Sequence, residues 1–300
     1  MCSRRVSLTP MRNTRLIFEP TQRKNKTVTD DIQTGFAGKS ALITGGARNV
    51  GLAVARKLAM GGASVAIIDI CNNLATIPYH LSSGSDMEAA LESLSAIGGD
   101  TLGILCDVRK EKQVTSAVQQ VVETFGKIDY LVNNAGVMSL IPIEEMSEEA
   151  WDEVLDVCLK GTFLCCKKVV PYMVGQQSGK IVNISSLAGQ RGLGHSTHYC
   201  AAKHGVIGLT KALAMEVAHS GINVNSVSPG TVESAIIDGL GSQLELDSDV
   251  YAHFSQGHLF QDHKIMPEDI AAAVCWLLSE ESRSVTGTVI NVDAGWSARG

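Results

Sequence analysis

The stretch SALITGGARNVGLAVARKLAMGGASVAIIDI, Ser40 to Ile70, decides the fold. Ala41–Thr44 is a short apolar run of strand length, and the glycine-rich turn TGGARNVG (Thr44–Gly51) follows it. A helical pattern runs from Val50 to Met60, Gly61-Gly62 ends it, and Ser64–Ile70 supplies a second strand. A strand, helix and strand joined this closely form a βαβ unit with parallel strands. A glycine turn that opens a helix lets backbone amides approach a pyrophosphate at the positive helix end. Asp69 ends the second strand, near the roughly 20-residue spacing at which a carboxylate reaches the hydroxyls of an adenosine ribose. A carboxylate there repels a 2′-phosphate, which favours NAD. Arg48 pulls toward NADP, because a guanidinium in the turn could take that phosphate.

The alternation continues. Leu102–Cys106, Ile128–Val132, Lys180–Ser185, Asn223–Ser228 and Val289–Val292 have strand length and composition. Helical patterns separate them at Glu111–Phe125, Glu148–Val174, Tyr199–His219 and Pro267–Ser279. Seven strands alternating with helices imply an α/β fold, a parallel sheet covered on both faces, in one domain over about 36–300. Ligands of such sheets bind outside the carboxyl ends of the strands.

Composition narrows the function. A net charge of -6 argues against nucleic acid as a partner, and no apolar run approaches the roughly 18 residues of a membrane span. The eight cysteines form no CxxC pair and the eight histidines no HExxH, so neither disulfides nor a metal are expected. Residues 1–34 carry seven Lys and Arg against three Asp and Glu, leaving 18 against 28 in the remainder. The head, 1–35, reads as a flexible basic extension. Its Arg, Ser and scarce acids fit a mitochondrial presequence, while the cytoplasm is the compartment expected of the reduced thiols.

Chemistry-bearing residues fall just after strands. Asp107 follows the third strand, where it could bond an adenine or cap the helix before Glu111. NNAG, Asn133 to Gly136, follows the fourth, where small residues let backbone pass close to a flat cofactor. Ser186 ends the fifth. Thirteen positions on, Tyr199 and Lys203 stand at i and i+4, on one helix face. An ammonium there favours the phenolate and lowers the tyrosine pKa, making a general acid/base for a hydroxyl or carbonyl oxygen.

Taken together, TGGARNVG, Asp107, NNAG, Ser186/Tyr199/Lys203, SPGTV and VTGTVINVDAG resemble the short-chain dehydrogenase/reductase family over residues 38–297. The resemblance implies a Rossmann-type doubly wound sheet and hydride transfer between a nicotinamide and a secondary alcohol or ketone. It implies that Tyr199 gives or takes the proton, that Ser186 bonds the reacting oxygen, and that Lys203 binds the nicotinamide ribose. Cofactor contact is implied for Gly45, Arg48, Asn49, Val50, Gly51, Asp69, Ile70, Asp107, Val108, Asn134, Ala135, Gly136, Tyr199, Lys203, Pro229, Gly230 and Val232. A homo-oligomer, dimer or tetramer, is implied through the long helices, with Leu159, Phe163 and the VDAGW tail as interface material.

Two positions depart from the family pattern. Asn49 replaces the middle glycine of the turn, and asparagine tolerates positive φ. Cys158 stands where the family places an asparagine that holds a relay water, and a thiol is a weak donor and acceptor. The segment DICNNLATIPYHLSSGSDM is longer than a βαβ unit needs and resembles the insertion of the carveol-dehydrogenase-like subgroup, as do HYCAAKHGVIGL and VDAGW. That likeness implies a cover over the adenine end and apolar cyclic or terpenoid-like substrates. Residues 234–265, with Phe254 and Phe260, are expected to form a substrate lid, and His195, His198, His253 and His258 to be within substrate reach. The alternatives are an NADPH-dependent ketoreductase of polyketide-like or 3-oxoacyl substrates and a weakly catalytic nucleotide-binding regulator.

Overall fold

The computed structural model describes residues 35–246, 249–260 and 263–299. The extension read over 1–35 therefore lies, apart from Gly35, outside the described residues. The strands are β1 (Ser40–Thr44), β2 (Ser64–Asp69), β3 (Thr101–Leu105), β4 (Tyr130–Asn133), β5 (Gly179–Ile184), β6 (Ile222–Pro229) and β7 (Val289–Val292). They pair in the order β3-β2-β1-β4-β5-β6-β7, every pair parallel. The strand order runs outward from β1 on one side and from β4 on the other, so a crevice opens between these two. This is the doubly wound seven-stranded sheet expected, in a single domain.

The helices are α1 (Asn49–Met60), α2 (Gly84–Ser95), α3 (Glu111–Phe125), α4 (Glu148–Leu155), α5 (Gly161–Gln176), α6 (Thr197–Val217), α7 (Ala235–Gln243), α8 (Val250–Phe254) and α9 (Pro267–Leu278). Every residue of β1 and β5 is buried, although β5 carries Lys180 and Asn183 among its apolar residues. One face of the sheet packs Leu58 of α1 and Val274 of α9 against Ile67. The other packs Val118 of α3, Cys165 of α5 and Ala214 of α6 against Leu131 and Val224. Among the described residues, no helix is long and apolar enough to cross a membrane.

Two elements differ from the sequence reading. The helix α2 follows the insertion, and Ser83 and Asp86 form a capping box at its start. The helix read over Glu148–Val174 is interrupted by a π-helical turn, Asp156–Lys160, between α4 and α5. Such a turn inserts one residue into an otherwise regular apolar period, so pattern alone does not locate it. Cys158 lies inside it.

A buried polar chain crosses the centre of the molecule. Asn133 Nδ2 donates to Asn183 Oδ1 at 2.8 Å, and Asn183 Nδ2 donates to Thr210 Oγ1 at 2.9 Å. It ties β4 to β5 and β5 to α6, the helix that carries the tyrosine and lysine. Replacing Asn183 with alanine removes a hydrogen-bond partner from both Asn133 and Thr210 and is expected to lower unfolding stability by about 2–3 kcal/mol. Urea unfolding of wild type and Asn183→Ala measures this, and equal midpoints would contradict it.

Candidate active site

A cavity of about 370 Å³ opens at the carboxyl ends of the central strands. Its floor begins with the glycine turn. Gly45 has φ +63, and a Cβ there would stand 2.9 Å from Ala135 Cα. Asn134 Nδ2 bridges the turn, donating to Thr44 O at 3.0 Å and Gly45 O at 2.9 Å. Asn49 adopts φ 50, the left-handed conformation that asparagine was expected to accept in place of glycine. Gly45, Arg48, Asn49, Val50, Asn134, Ala135 and Gly136 all line the cavity. Gly51 does not: a Cβ there would lie 2.2 Å from Gly45 O, so its role is to let α1 pack under the turn.

Asp69 and Ile70 line the next stretch, with Asp107 and Val108 beyond them. The Asp69 carboxylate accepts from Ala47 N–H at 3.1 Å, from Cys71 N–H at 3.4 Å and from the Ser82 hydroxyl. Arg48 Nη2 donates to His80 O at 2.6 Å, so its guanidinium holds the insertion. Asp107 does not cap α3, whose N-cap is Lys110. It is chelated by Arg109, with Nε at 3.0 Å from Oδ1 and Nη2 at 2.9 Å from Oδ2. Burial pushes Asp107 up, but the Arg109 hydrogen bonds and charge hold its carboxyl below the ordinary value.

The insertion is part of the wall. Leu74 and Ile77 join the core, while Leu74, Tyr79, Leu81 and Ser82 line the cavity. Thr76 N–H and Oγ1 donate to Glu153 Oε2 at 2.9 and 2.7 Å, and Glu153 Oε1 accepts from Arg109 Nη1 at 2.7 Å. The Tyr79 hydroxyl accepts from Met138 N–H at 3.0 Å. A Cβ on Gly239 of α7 would lie 2.3 Å from Tyr79 Cβ, so insertion and lid pack directly on each other. Nothing in the spacing around Tyr79 marks this contact in the sequence.

Ser186, Tyr199 and Lys203 line the same cavity. Two bonds clamp α6 to the end of β5: Lys203 Nζ donates to Ile184 O at 2.8 Å, and Ser185 Oγ donates to Lys203 O at 3.0 Å. Ser186 Oγ accepts from Ala188 N–H at 3.1 Å, which fixes the short 3-10 turn Leu187–Gly189. Burial pushes the Tyr199 hydroxyl well above its ordinary value, and the hydrogen bond with Ser186 pulls it partway back. Lys203 Nζ lies 5.5 Å from the Tyr199 ring centroid, and burial lowers the lysine. In the protein alone, desolvation thus outweighs the lowering of Tyr199 that the i, i+4 spacing suggested. Cys158 is 1% exposed and its thiol donates to Val137 O at 3.3 Å. A Cβ on Gly136 would stand 3.4 Å from Lys203 Nζ and 3.7 Å from Cys158 Sγ, so the two side chains flank one glycine.

The cavity wall also carries the apolar side chains of Leu187, Leu193, Ile237, Leu240 and Phe254. Pro229, Gly230 and Val232 line it as well, and Val232 bridges Ile265 at the base of the lid. The lid is more regular than its sequence suggested, carrying α7 and α8. Phe254 faces the cavity, whereas Phe260 is 64% exposed and outside the wall. None of the four candidate histidines lines the cavity. His198 is buried with Nε2 2.9 Å from Ser139 Oγ, and His253 packs edge-on against Phe254. His258 Nε2 accepts from Thr231 N–H at 3.2 Å, supporting the Gly230-Thr231 turn. His195 stands in the loop before α6, where its carbonyl accepts from Ile141 N–H at 2.7 Å. Trp296, in the VDAGW tail, forms part of the cavity wall.

The family model described as enoyl-(acyl carrier protein) reductase matches residues 45–297. An uncharacterized oxidoreductase of Mycobacterium tuberculosis (strain CDC 1551 / Oshkosh) is 39% identical over 88% of this chain and 98% of its own. The 3-oxoacyl-[acyl-carrier-protein] reductase FabG of Staphylococcus aureus (strain Mu50 / ATCC 700699) is 37% identical over 86% of this chain and 97% of its own. Carveol dehydrogenase from Mycobacterium avium, solved in complex with NAD, superposes with a TM-score of 0.85 at 32% identity, covering 89% of this chain and all of that one. Sequence and fold agree, and the chain belongs to the short-chain dehydrogenase/reductase family of oxidoreductases, which act on CH–OH groups and the corresponding ketones.

Proposed function

We propose that this chain is an NAD-dependent oxidoreductase of apolar, cyclic or terpenoid-like secondary alcohols and ketones. One observation carries the reading: Ser186, Tyr199 and Lys203 meet at the end of β5, in one cavity with the glycine turn and an apolar wall. The turn fits a dinucleotide, since the absent side chain at Gly45 leaves room where Ala135 approaches. In this reading the turn from Gly45 to Val50 takes the pyrophosphate, Asp69 and Ile70 the adenosine ribose, and Asp107 and Val108 the adenine. Asn134 to Gly136, Lys203, Pro229, Gly230 and Val232 hold the nicotinamide half. NAD, when bound, takes up or supplies a hydride at the substrate carbon.

The protein's own part is proton transfer and positioning. The enclosed Tyr199 is held protonated by its surroundings, which suits it to give a proton to a carbonyl oxygen and to receive it back from an alcohol. Ser186 bonds the same oxygen and orients it. Lys203 keeps Tyr199 facing the cavity and provides the next station for the proton. Cys158 replaces a strong hydrogen-bonding side chain beside Lys203, so proton exchange with solvent is slower or takes another route. The preference for NAD is supported by the M. avium relative, by the Asp69 carboxylate, and by Arg48 being occupied with His80 O. The S. aureus relative supports a second reading, an NADPH-dependent reductase of 3-oxoacyl or polyketide-like substrates, against which the Arg48 contact weighs. A cytoplasmic homo-oligomer of two or four chains completes the proposal, with Phe163 on α5, 45% exposed, as interface material.

The test is the change in nicotinamide absorbance with NAD and a panel of cyclic secondary alcohols. Tyr199→Phe is expected to lower kcat roughly 1,000-fold with NADH binding retained, since it removes the proton carrier alone. Unimpaired turnover would refute the assignment. Cys158→Asn is expected to raise turnover or shift its pH profile, and no change in either would remove Cys158 from the proton path.

A further inference from the structure

Five charged side chains line the cavity among the described residues: Arg48, Asp69, Asp107, Arg191 and Lys203. Four are committed elsewhere. Arg48 holds His80 O, Asp69 holds Ala47 N–H and Ser82, Asp107 is chelated by Arg109, and Lys203 is seated on Ile184 O. Arg191 is different. No carboxylate of the described residues pairs with it, and its side chain makes one hydrogen bond, Nη1 to Trp296 O at 3.3 Å. An arginine presents five N–H donors, so most of its capacity is unspent.

The guanidinium is nonetheless held in place. Its Cζ lies 6.0 Å from the centre of the Trp296 ring, a cation–π contact. That ring is itself fixed, because a Cβ on Gly257 would stand 1.8 Å from Trp296 Cε2 and the His258 ring packs edge-on against it at 5.6 Å. Arg191 follows Ser186 by five residues, in the loop that leads to α6, and the wall of the same cavity carries Leu187, Leu193 and Phe254. A preoriented fork of donors in an apolar chamber is matched by a planar, bidentate anion.

We infer that Arg191 reads a carboxylate on the substrate: the alcohol or ketone taken here is an apolar ring or chain that also carries a carboxylate. This inference rests on the oxidoreductase reading above and names the substrate class of that same site. The contact with Trp296 O orients the fork, and the remaining donors meet the acid.

The experiment uses the full chain with NADH and a panel of cyclic ketones bearing a carboxylate one to four methylenes from the ring, each beside its methyl ester. The best acid is expected to exceed its ester in kcat/KM by roughly 10- to 100-fold, the range of a charge-assisted pair, with the difference lying mainly in KM. Arg191→Met should collapse that ratio toward one, and Arg191→Lys should keep part of it. A ratio near one in the wild type, or one that survives Arg191→Met, overturns the inference, as does a 3-oxoacyl thioester reduced faster than every free acid. Calorimetric titration of the NADH-loaded protein with 4-cyclohexylbutanoate and its methyl ester reads the same contact without turnover. A preference for the acid that Arg191→Met abolishes supports the inference even if no ketone is reduced, a result that would count against the oxidoreductase reading alone. Equal binding of the two overturns it.

Discussion

The bond from Lys203 Nζ to Ile184 O is the constraint on which the site depends. A buried ammonium needs an acceptor, and the carbonyl that ends β5 supplies it. With Ser185 Oγ on Lys203 O, the bond fixes both the depth and the rotation of α6 against the sheet. Tyr199, one turn earlier, is then aimed at the cavity, and Ser186, one residue after Ser185, meets it there. Behind the clamp, the Asn133–Asn183–Thr210 chain holds the same helix to the middle of the sheet. The geometry of the cavity and the register of the core are therefore one problem, solved by polar groups that cannot be left unpaired.

The second organising feature is the insertion. Thr76 reaches Glu153 on α4, Glu153 reaches Arg109, and Arg109 holds Asp107, so the cover over one end of the cavity is braced against its floor. Ser82 closes on Asp69 from the same segment, and Tyr79 supports the lid through Gly239. The insertion touches both halves of the chamber.

Much of this was legible in the sequence because it depends on local chemistry. The glycine turn, the strand ends at Asp69, Asp107 and Ser186, and the Tyr199–Lys203 spacing all follow from periodicity and from residues with few alternative uses. Asn49 was readable for the same reason, its φ of 50 being one that few other side chains accept. What was not legible depends on contacts between distant segments. The π turn at Cys158 leaves no trace in the apolar period. Four histidines were read as within substrate reach, yet His198 on α6 serves Ser139 and His258 in the lid serves Thr231. Arg191 and Trp296 meet across more than a hundred residues, and no motif announces the pair. Residue type suggested function at those histidines, and packing reassigned it.

The central claim is that this cavity is a dinucleotide site whose Asp69 end excludes a 2′-phosphate. It is tested most directly by the dissociation constants of NADH and NADPH, measured by nicotinamide fluorescence after copurified nucleotide has been removed. NADH is expected to bind at least tenfold tighter, roughly the penalty of setting a phosphate against a buried carboxylate. Equal or tighter binding of NADPH would contradict the role given to Asp69, and binding of neither would contradict the account as a whole.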